Sequence, residues 1–391
     1  MTARPVDLAP IGSVGLPVSG LGRGWEASTI MGLTLLILSV GLVTLYSASS
    51  VFAISQGEAD TFYVFRQAQG ALFGLCVLAV CAWVPYRFWL HAAWPLLGLS
   101  ILLLLLCVLP WTYGIAPVRN GARRWLILGV SFQPSEIAKI AIVVWTAAIA
   151  VRKTDQFHSL RRGLLPFFAV WAIVIGLVAL EPDMSTAMVI TMLGILVVFA
   201  AGARFGHFVF LALLVSPVMY VMLQVDFRAK RMQSFLNPLA DEAGSGYQVT
   251  QSLIAFGSGG ITGVGFGEGR QKYGFLPESH NDFIFAMIGE EWGLLGVALL
   301  AVFYVTIVLV GFRIASRAPD LFGELLAVGF TSLIAVQAIL HMAVGLALAP
   351  ATGLALPLVS YGRSNLIITL MALGIIMSVA RAAPGGKAAH V

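Results

Sequence analysis

Long apolar runs dominate the pattern of this chain. Stretches of about 18 or more hydrophobic residues recur along it, each long enough to cross a bilayer as a helix. They predict ten helices, near residues 30–53, 68–85, 93–110, 134–151, 164–181, 184–201, 207–225, 283–311, 321–346 and 365–380. Nowhere does the chain show the short alternating segments of an outer-membrane barrel. The expected fold is therefore all-α and polytopic. One interval breaks the pattern: from Asp226 to Asp282 the chain turns polar, charged and glycine-rich before re-entering an apolar run at Phe283. This interval is expected to be a large outer loop between the seventh and eighth spans, and loops of that length commonly carry function. The domain reading is a tail over 1–27, a ten-helix transmembrane domain over 28–381 and a second tail over 382–391.

Composition sharpens this picture. The chain is 59% hydrophobic and 10% charged, with a mean hydropathy of +0.93, far from a soluble globular composition. Cys76, Cys81 and Cys107 fall inside apolar spans, which argues against a disulfide or a zinc site. No cleavable signal peptide is evident, and the Pro- and Gly-rich start reads as a disordered tail. A net charge of +5 would suggest nucleic acid in a soluble protein; here topology-setting arginines account for it.

Charge also orients the spans. With both termini in the cytoplasm, every inner loop is basic, collecting Arg87, Arg152, Lys153, Arg161, Arg162, Arg204, Arg313, Arg317 and Arg381 among others. The outer side nevertheless keeps Arg119, Arg123 and Arg124 in one short loop, five basic residues in the long loop and Arg363 in the last. Cations there oppose the topology signal. Three loops bringing arginines to one face suggest an anionic ligand, for which phosphate or pyrophosphate suits the guanidinium fork. The absence of a convincing internal repeat weakens an inverted-repeat transporter reading.

Several residues stand out within and beside the spans. Glu136 and Lys139 share a helical face after Pro134, either as a self-satisfied pair or as the wall of a wet cavity. Glu181-Pro182-Asp183 marks the turn between spans five and six, where Asp183 could simply cap the next helix. Of Glu290 and Glu291, one is expected to pair with a basic residue from a neighbouring span. Gly257, Gly259, Gly260, Gly263, Gly265, Gly267 and Gly269 could bend tightly or expose N–H groups to an anion, but no P-loop follows them. Glu278, His280 and Asp282 alternate and would share a face if extended. Asp282 reads equally well as a base toward a sugar hydroxyl or as the N-cap of span eight.

The string from Gln251 to Gly296 closely resembles the shape, elongation, division and sporulation (SEDS) family, whose members include FtsW, RodA and SpoVE. Further matches are YSAS (Tyr46–Ser49), GARRWLILG (Gly121–Gly129), QPSEIAK (Gln133–Lys139), EPDMST (Glu181–Thr186), FLNP, GYQ and ATGLALPLVSYG (Ala351–Gly362), in order from the first helix to the last. The resemblance implies ten helices and a glycosyltransferase that polymerises lipid II into peptidoglycan strands at the outer face of the bacterial cytoplasmic membrane. It implies that Asp282 matches the family's loop aspartate, the general base. The GEE after DFIFA and the length of the N-terminal tail look more like FtsW than RodA, which favours division over elongation. A class B penicillin-binding transpeptidase partner and other division-machinery membrane proteins are implied by family alone. The chain departs from the family where SYGGSS becomes Ser360-Tyr361-Gly362-Arg363-Ser364-Asn365, and again at Met184-Ser185.

On this reading the donor's pyrophosphate meets Arg119, Arg123, Arg124 and Lys139, with Arg270 and Lys272 as further candidates. Glu136, Glu278, His280, Ser360 and Arg363 complete the expected site. A divalent cation, Mg or Mn, could assist there, though the sequence does not establish one. A lipid II flippase is the main rival and would need acids and bases spread through the membrane depth; a non-enzymatic scaffold would depend on no single polar residue.

Overall fold

A computed structural model describes residues 24–383, leaving out 113, 119–120, 158, 210, 214–215, 217–223, 225–231, 233–234 and 236–244. The described chain is nearly all helical. Its helices are α1 (Trp25–Ser55), α2 (Phe62–Trp83), α3 (Phe88–Val108), α4 (Pro134–Lys153), α5 (Leu165–Leu180), α6 (Met184–Ala200), α7 (Ser245–Gly259), α8 (Ile284–Ser316), α9 (Leu321–Gly345) and α10 (Arg363–Ala382). Eight of the described helices are long and apolar enough to cross a membrane, and α6, at 17 residues, is shorter but as greasy. The seventh predicted span, 207–225, falls largely outside the described residues, as do Arg228, Lys230 and Arg231.

Burial sorts the helices into two shells. Most of α4, α9 and α10 is buried, whereas fewer than half of the residues of α1, α2, α3, α5 and α8 are. An apolar residue needs no shelter from lipid tails, so the outer helices remain greasy all round. The inner three carry small residues where neighbours approach. A Cβ on Gly74 or on Gly374 would overlap Leu370 of α10 or the Leu78–Cys81 turn of α2, respectively, so α2 and α10 pack in close contact.

One end of the bundle is held by ion pairs. Glu26 accepts from Arg313 at 3.2 Å and Arg317 at 2.7 Å, Arg87 meets Asp320 at 3.1 Å, and Arg381 reaches the carbonyl of Trp83. The start of α1 and the end of α10 therefore lie at the same end of the bundle, among the basic residues that mark the inner side.

Two features depart from the sequence reading. Leu126–Leu128 and Val130–Phe132 form a small antiparallel hairpin, β1 and β2, in the outer loop before α4. In addition, the interval read as one long loop contains α7. Its glycines Gly257 and Gly259 argue against a helix by propensity, but packing overrides that. Val249, Ser252, Ala255 and Gly259 form its buried stripe, Phe256 packs edge-on to Phe285 of α8 at 5.5 Å, and Gly259 sits against the backbone of Gly289.

The glycine run continues this theme. At Gly293 (φ 66°, ψ −164°) α8 leaves helical geometry, which frees backbone groups on both sides. The chain after α7 fills the break: Val264 and Gly265 donate to the carbonyls of Glu290 and Glu291 at 3.0 and 3.2 Å, while Leu294 and Leu295 donate to Gly260 and Ile261 at 2.9 and 3.1 Å. Buried backbone groups must find partners, and here they find another backbone. The close approaches that Gly259, Gly263 and Gly293 permit are thus to protein backbone.

Candidate functional site

The last outer segment, between α9 and α10, dips back into the bundle. Its Leu354, Leu356, Leu358 and Val359 are buried, and a Cβ on Gly41, midway along α1, would lie 2.7 Å from the carbonyl of Leu358. Polar groups on the surrounding helices satisfy its backbone: His341 Nδ1 donates to Leu354 O at 2.7 Å, Tyr304 Oη donates to Pro357 O, and Gln67 Nε2 donates to Ser360 O at 3.0 Å. Irregular backbone at membrane depth survives only with such partners.

Where this segment ends, a ring of contacts closes around the outer ends of α4, α6, α8 and α10. Ser360 Oγ donates to Asn281 O at 2.8 Å, and Tyr361 N to His280 O at 3.1 Å. Ser364, on the first turn of α10, accepts from Gln133 N at 3.2 Å, and Gln133 Nε2 donates to Asp183 Oδ2 at 2.8 Å. Ser185, on the first turn of α6, donates to Thr352 O at 2.5 Å, and the next residue, Gly353, lies beside Asp282. Four helices therefore begin around one spot. Their dipoles make it favourable for negative charge.

Asp282 stands one residue before the N-cap of α8, which is Phe283, whose side chain makes no cap bond. The alternate-face arrangement of Glu278, His280 and Asp282 does not form. Glu278 holds φ 54°, and its carbonyl accepts from the N–H groups of Asn281 and Asp282, both at 3.0 Å, so the segment is a turn. The three side chains go different ways. Glu278 is exposed. His280 is buried, stacked on Phe52 and packed against Tyr63, both at 5.0 Å between ring centres, and burial pushes its imidazole down to about 4. A neutral, ring-packed histidine is not a cation for phosphate.

One turn into α4, Glu136 and Lys139 meet at 2.8 Å, both buried, and Asn365 Nδ2 donates to Glu136 Oε2 at 3.2 Å. Asn365 thus adds a hydrogen bond to this pair.

The outer arginines divide. Arg123 turns back on the end of α3, donating to Leu109 O, Ala116 O and Thr112 Oγ1 at 2.9, 3.0 and 2.7 Å. Arg124 donates to the carbonyls of Glu181 and Pro182. Both guanidinium groups are engaged in tying the hairpin loop to its surroundings. Asp183 accepts from Thr186 N at 3.2 Å and is the N-cap of α6. Glu181 is buried, and neither carboxylate oxygen accepts from an N–H or O–H group of the described residues; burial and then Asp183 push its carboxyl up to about 9. Arg119 lies outside the described residues.

Lys272 is also engaged. It is the basic partner of Glu291, at 3.2 Å, and comes from the loop rather than from a neighbouring span. Glu290 accepts from the N–H groups of Arg270 and Gln271 at 2.8 and 3.3 Å. The guanidinium groups of Arg270 and Arg363 make no hydrogen bond or ion pair with the described residues. Arg270 is exposed, whereas Arg363 lays its stem along Gly70 of α2, where an added Cβ would come within 3.0 Å of its Cγ. One turn earlier on that face is Arg66, stacked over Phe62 at 4.5 Å. The sequence reading left Arg66 out of the outer-side cations.

No three His, Cys, Asp or Glu side chains converge among the described residues. A divalent cation here would take most of its ligands from a bound pyrophosphate and from water.

Residues 27–384 match the family model FtsW/RodA/SpoVE, described as "Cell cycle protein". A Geobacter sulfurreducens protein named "Probable peptidoglycan glycosyltransferase FtsW" is 39% identical over 341 residues, which cover 87% of this chain and 91% of that one. "Stage V sporulation protein E" of Bacillus subtilis is 39% identical over 353 residues, covering 89% and 95%. Among solved structures, a chain described under "Structural coordination of polymerization and crosslinking by a peptidoglycan synthase complex" superposes with a TM-score of 0.75 at 30% identity, covering 93% of this chain and 98% of that one. The rod shape determining protein RodA of Thermus thermophilus gives 0.65 at 29% identity, covering 90% and 95%. Motifs, fold and comparisons agree: this chain is a multi-pass membrane protein of the FtsW/RodA/SpoVE family.

Proposed function

We propose that this protein is a peptidoglycan glycosyltransferase that polymerises lipid II at the outer face of the cytoplasmic membrane, in septal wall synthesis. The observation that carries the reading is the position of Asp282. It lies on the rim of a ring of helix N-termini, with the guanidinium of Arg363, unpaired among the described residues, at the head of α10. A base beside an anion-favouring site is what attack on a polyprenyl-pyrophosphate sugar requires.

In this mechanism the donor's pyrophosphate lies over the N-termini of α4, α6 and α10, and Arg363 bonds its oxygens. Arg270, exposed on the loop, is a further available cation among the described residues. Asp282 takes the proton from the acceptor's 4-hydroxyl. The resulting oxygen attacks C1 of the donor, the C1–O bond to pyrophosphate breaks, and polyprenyl pyrophosphate leaves with the electron pair. The α-linked donor becomes a β-1,4 bond. Charge builds on the leaving pyrophosphate, where preorganised N–H groups and guanidinium stabilise it most. Glu136 and Lys139, already paired, shape the floor of the site. A class B penicillin-binding transpeptidase is the proposed partner, supported by the likeness to a chain of a peptidoglycan synthase complex that coordinates polymerisation with crosslinking.

The test is to give the purified chain lipid II, with its cognate transpeptidase present, and to follow glycan strands and translocation across proteoliposomes in parallel. Strands without translocation support the polymerase. Translocation without strands replaces it with the flippase.

A further inference from the structure

The YSAS motif near the end of α1 has no part in the site described above, yet it touches the catalytic loop twice. Ser47, buried, donates to Glu291 Oε1 and accepts from Lys272 Nζ at 3.0 Å. Next to it, the carbonyl of Ala48 accepts from Ser279 Oγ at 3.2 Å, three residues before Asp282. Lys272 is also bonded to Gly267 O. Glu290, Glu291 and Lys272 are 1%, 2% and 7% exposed.

These contacts join the break in α8 to the loop. Main-chain bonds seat residues 260–265 in the break at Gly293, and the side chains of Glu290 and Glu291 hold 270–272. Both ends of the glycine-rich segment are thus fixed to one turn of α8. From Lys272 the chain is tied onward through Leu276 N to Gln271 O at 3.0 Å and through Ser279 to α1. A buried ion pair is poor evidence for stability, because desolvation offsets much of the attraction. Its value here is geometric.

We propose that Lys272, latched to Glu291 and Ser47, is a positioning residue that fixes the location of Asp282 relative to α8 and α10. The latch sets the turnover rate rather than substrate affinity, since its three side chains bond to one another and to the loop, not to the ring of helix N-termini. The proposal rests on Asp282 being the base.

The experiment compares the full-length chain, with its transpeptidase, as wild type, Lys272→Met, Lys272→Met/Glu291→Gln, Ser47→Ala and Asp282→Asn, reading kcat and KM for lipid II together with Tm. Lys272→Met is expected to lower kcat by about 10- to 100-fold with KM little changed, because small misplacements of a reacting group cost that much. The double variant, free of an unpaired buried carboxylate, regains Tm but not kcat. Ser47→Ala, which keeps the ion pair, loses kcat several-fold at nearly unchanged Tm, and it carries the test if Lys272→Met fails to fold. Wild-type kcat in the double variant or in Ser47→Ala overturns the latch, and so does a raised KM with unchanged kcat. If Asp282→Asn itself polymerises normally, it is the base assignment that fails.

Discussion

Gly353 brings the last outer segment against Asp282: a methyl group at 353 would lie 3.6 Å from Oδ2 and 4.0 Å from Oδ1, and the residue holds φ +70°. The contact joins the loop that follows α7 to the segment before α10. Substitution by alanine adds an ordinary van der Waals contact but forces an L-residue into the left-handed region, at a cost of about 1 kcal/mol or somewhat more. Gly353→Ala is therefore expected to reduce polymerisation several-fold while the protein remains folded. Steady-state rates on lipid II, beside a melting curve, check this. Unchanged rates would mean that the approach of Gly353 does not matter to Asp282.

Arg363 occupies an unfavourable place for a cation, the first residue of a helix, where the dipole is positive. Nothing among the described residues neutralises it. A cation in that position fits an anionic ligand. Arg363→Gly should raise KM for lipid II by about 10- to 150-fold, the worth of a charge-assisted bond. The protein should become no less stable, because a repulsive charge at the dipole is removed. A lowered Tm with unchanged KM would assign Arg363 to packing on Gly70 instead.

Glu181 makes stability depend on pH in a definite direction. Burial raises its carboxyl from an ordinary 4.5 to about 9. Between those values the folded protein holds a proton that the unfolded chain has lost, so this contribution is complete below about 4.5 and declines as pH rises through about 9. Glu181→Gln keeps the neutral shape and removes the titration. Melting temperatures measured from about pH 6 to about pH 9 should fall for wild type relative to the variant as pH rises. Parallel curves would show that the carboxyl is already ionised in the folded protein.

The eight spans seen among the described residues and the capping role of Asp183 were legible in the sequence because they follow from local pattern: apolar length in one case, an Asp ahead of a helical run in the other. The helix α7 was not, since Gly257 and Gly259 lower helix propensity, and it is the packing of Gly259 against Gly289 of α8 that gives the helix its place. The outer cations show the same limit. Arg123, Arg124, Lys272 and Arg363 look equivalent as letters, yet three bond to protein and one does not. Which cation meets which acceptor depends on contacts such as Lys272 with Ser47, 225 positions away, that no local pattern encodes.

The central claim is that Asp282 accepts the proton of the attacking hydroxyl. Single-turnover glycan formation from lipid II by wild type and Asp282→Asn, both saturated with substrate and both shown to be folded, tests it most directly. Asparagine keeps the size of the side chain and removes its basicity, so the account predicts unchanged lipid II binding with a rate at least about 100-fold lower, the scale of general base catalysis. Wild-type rates from Asp282→Asn would contradict it.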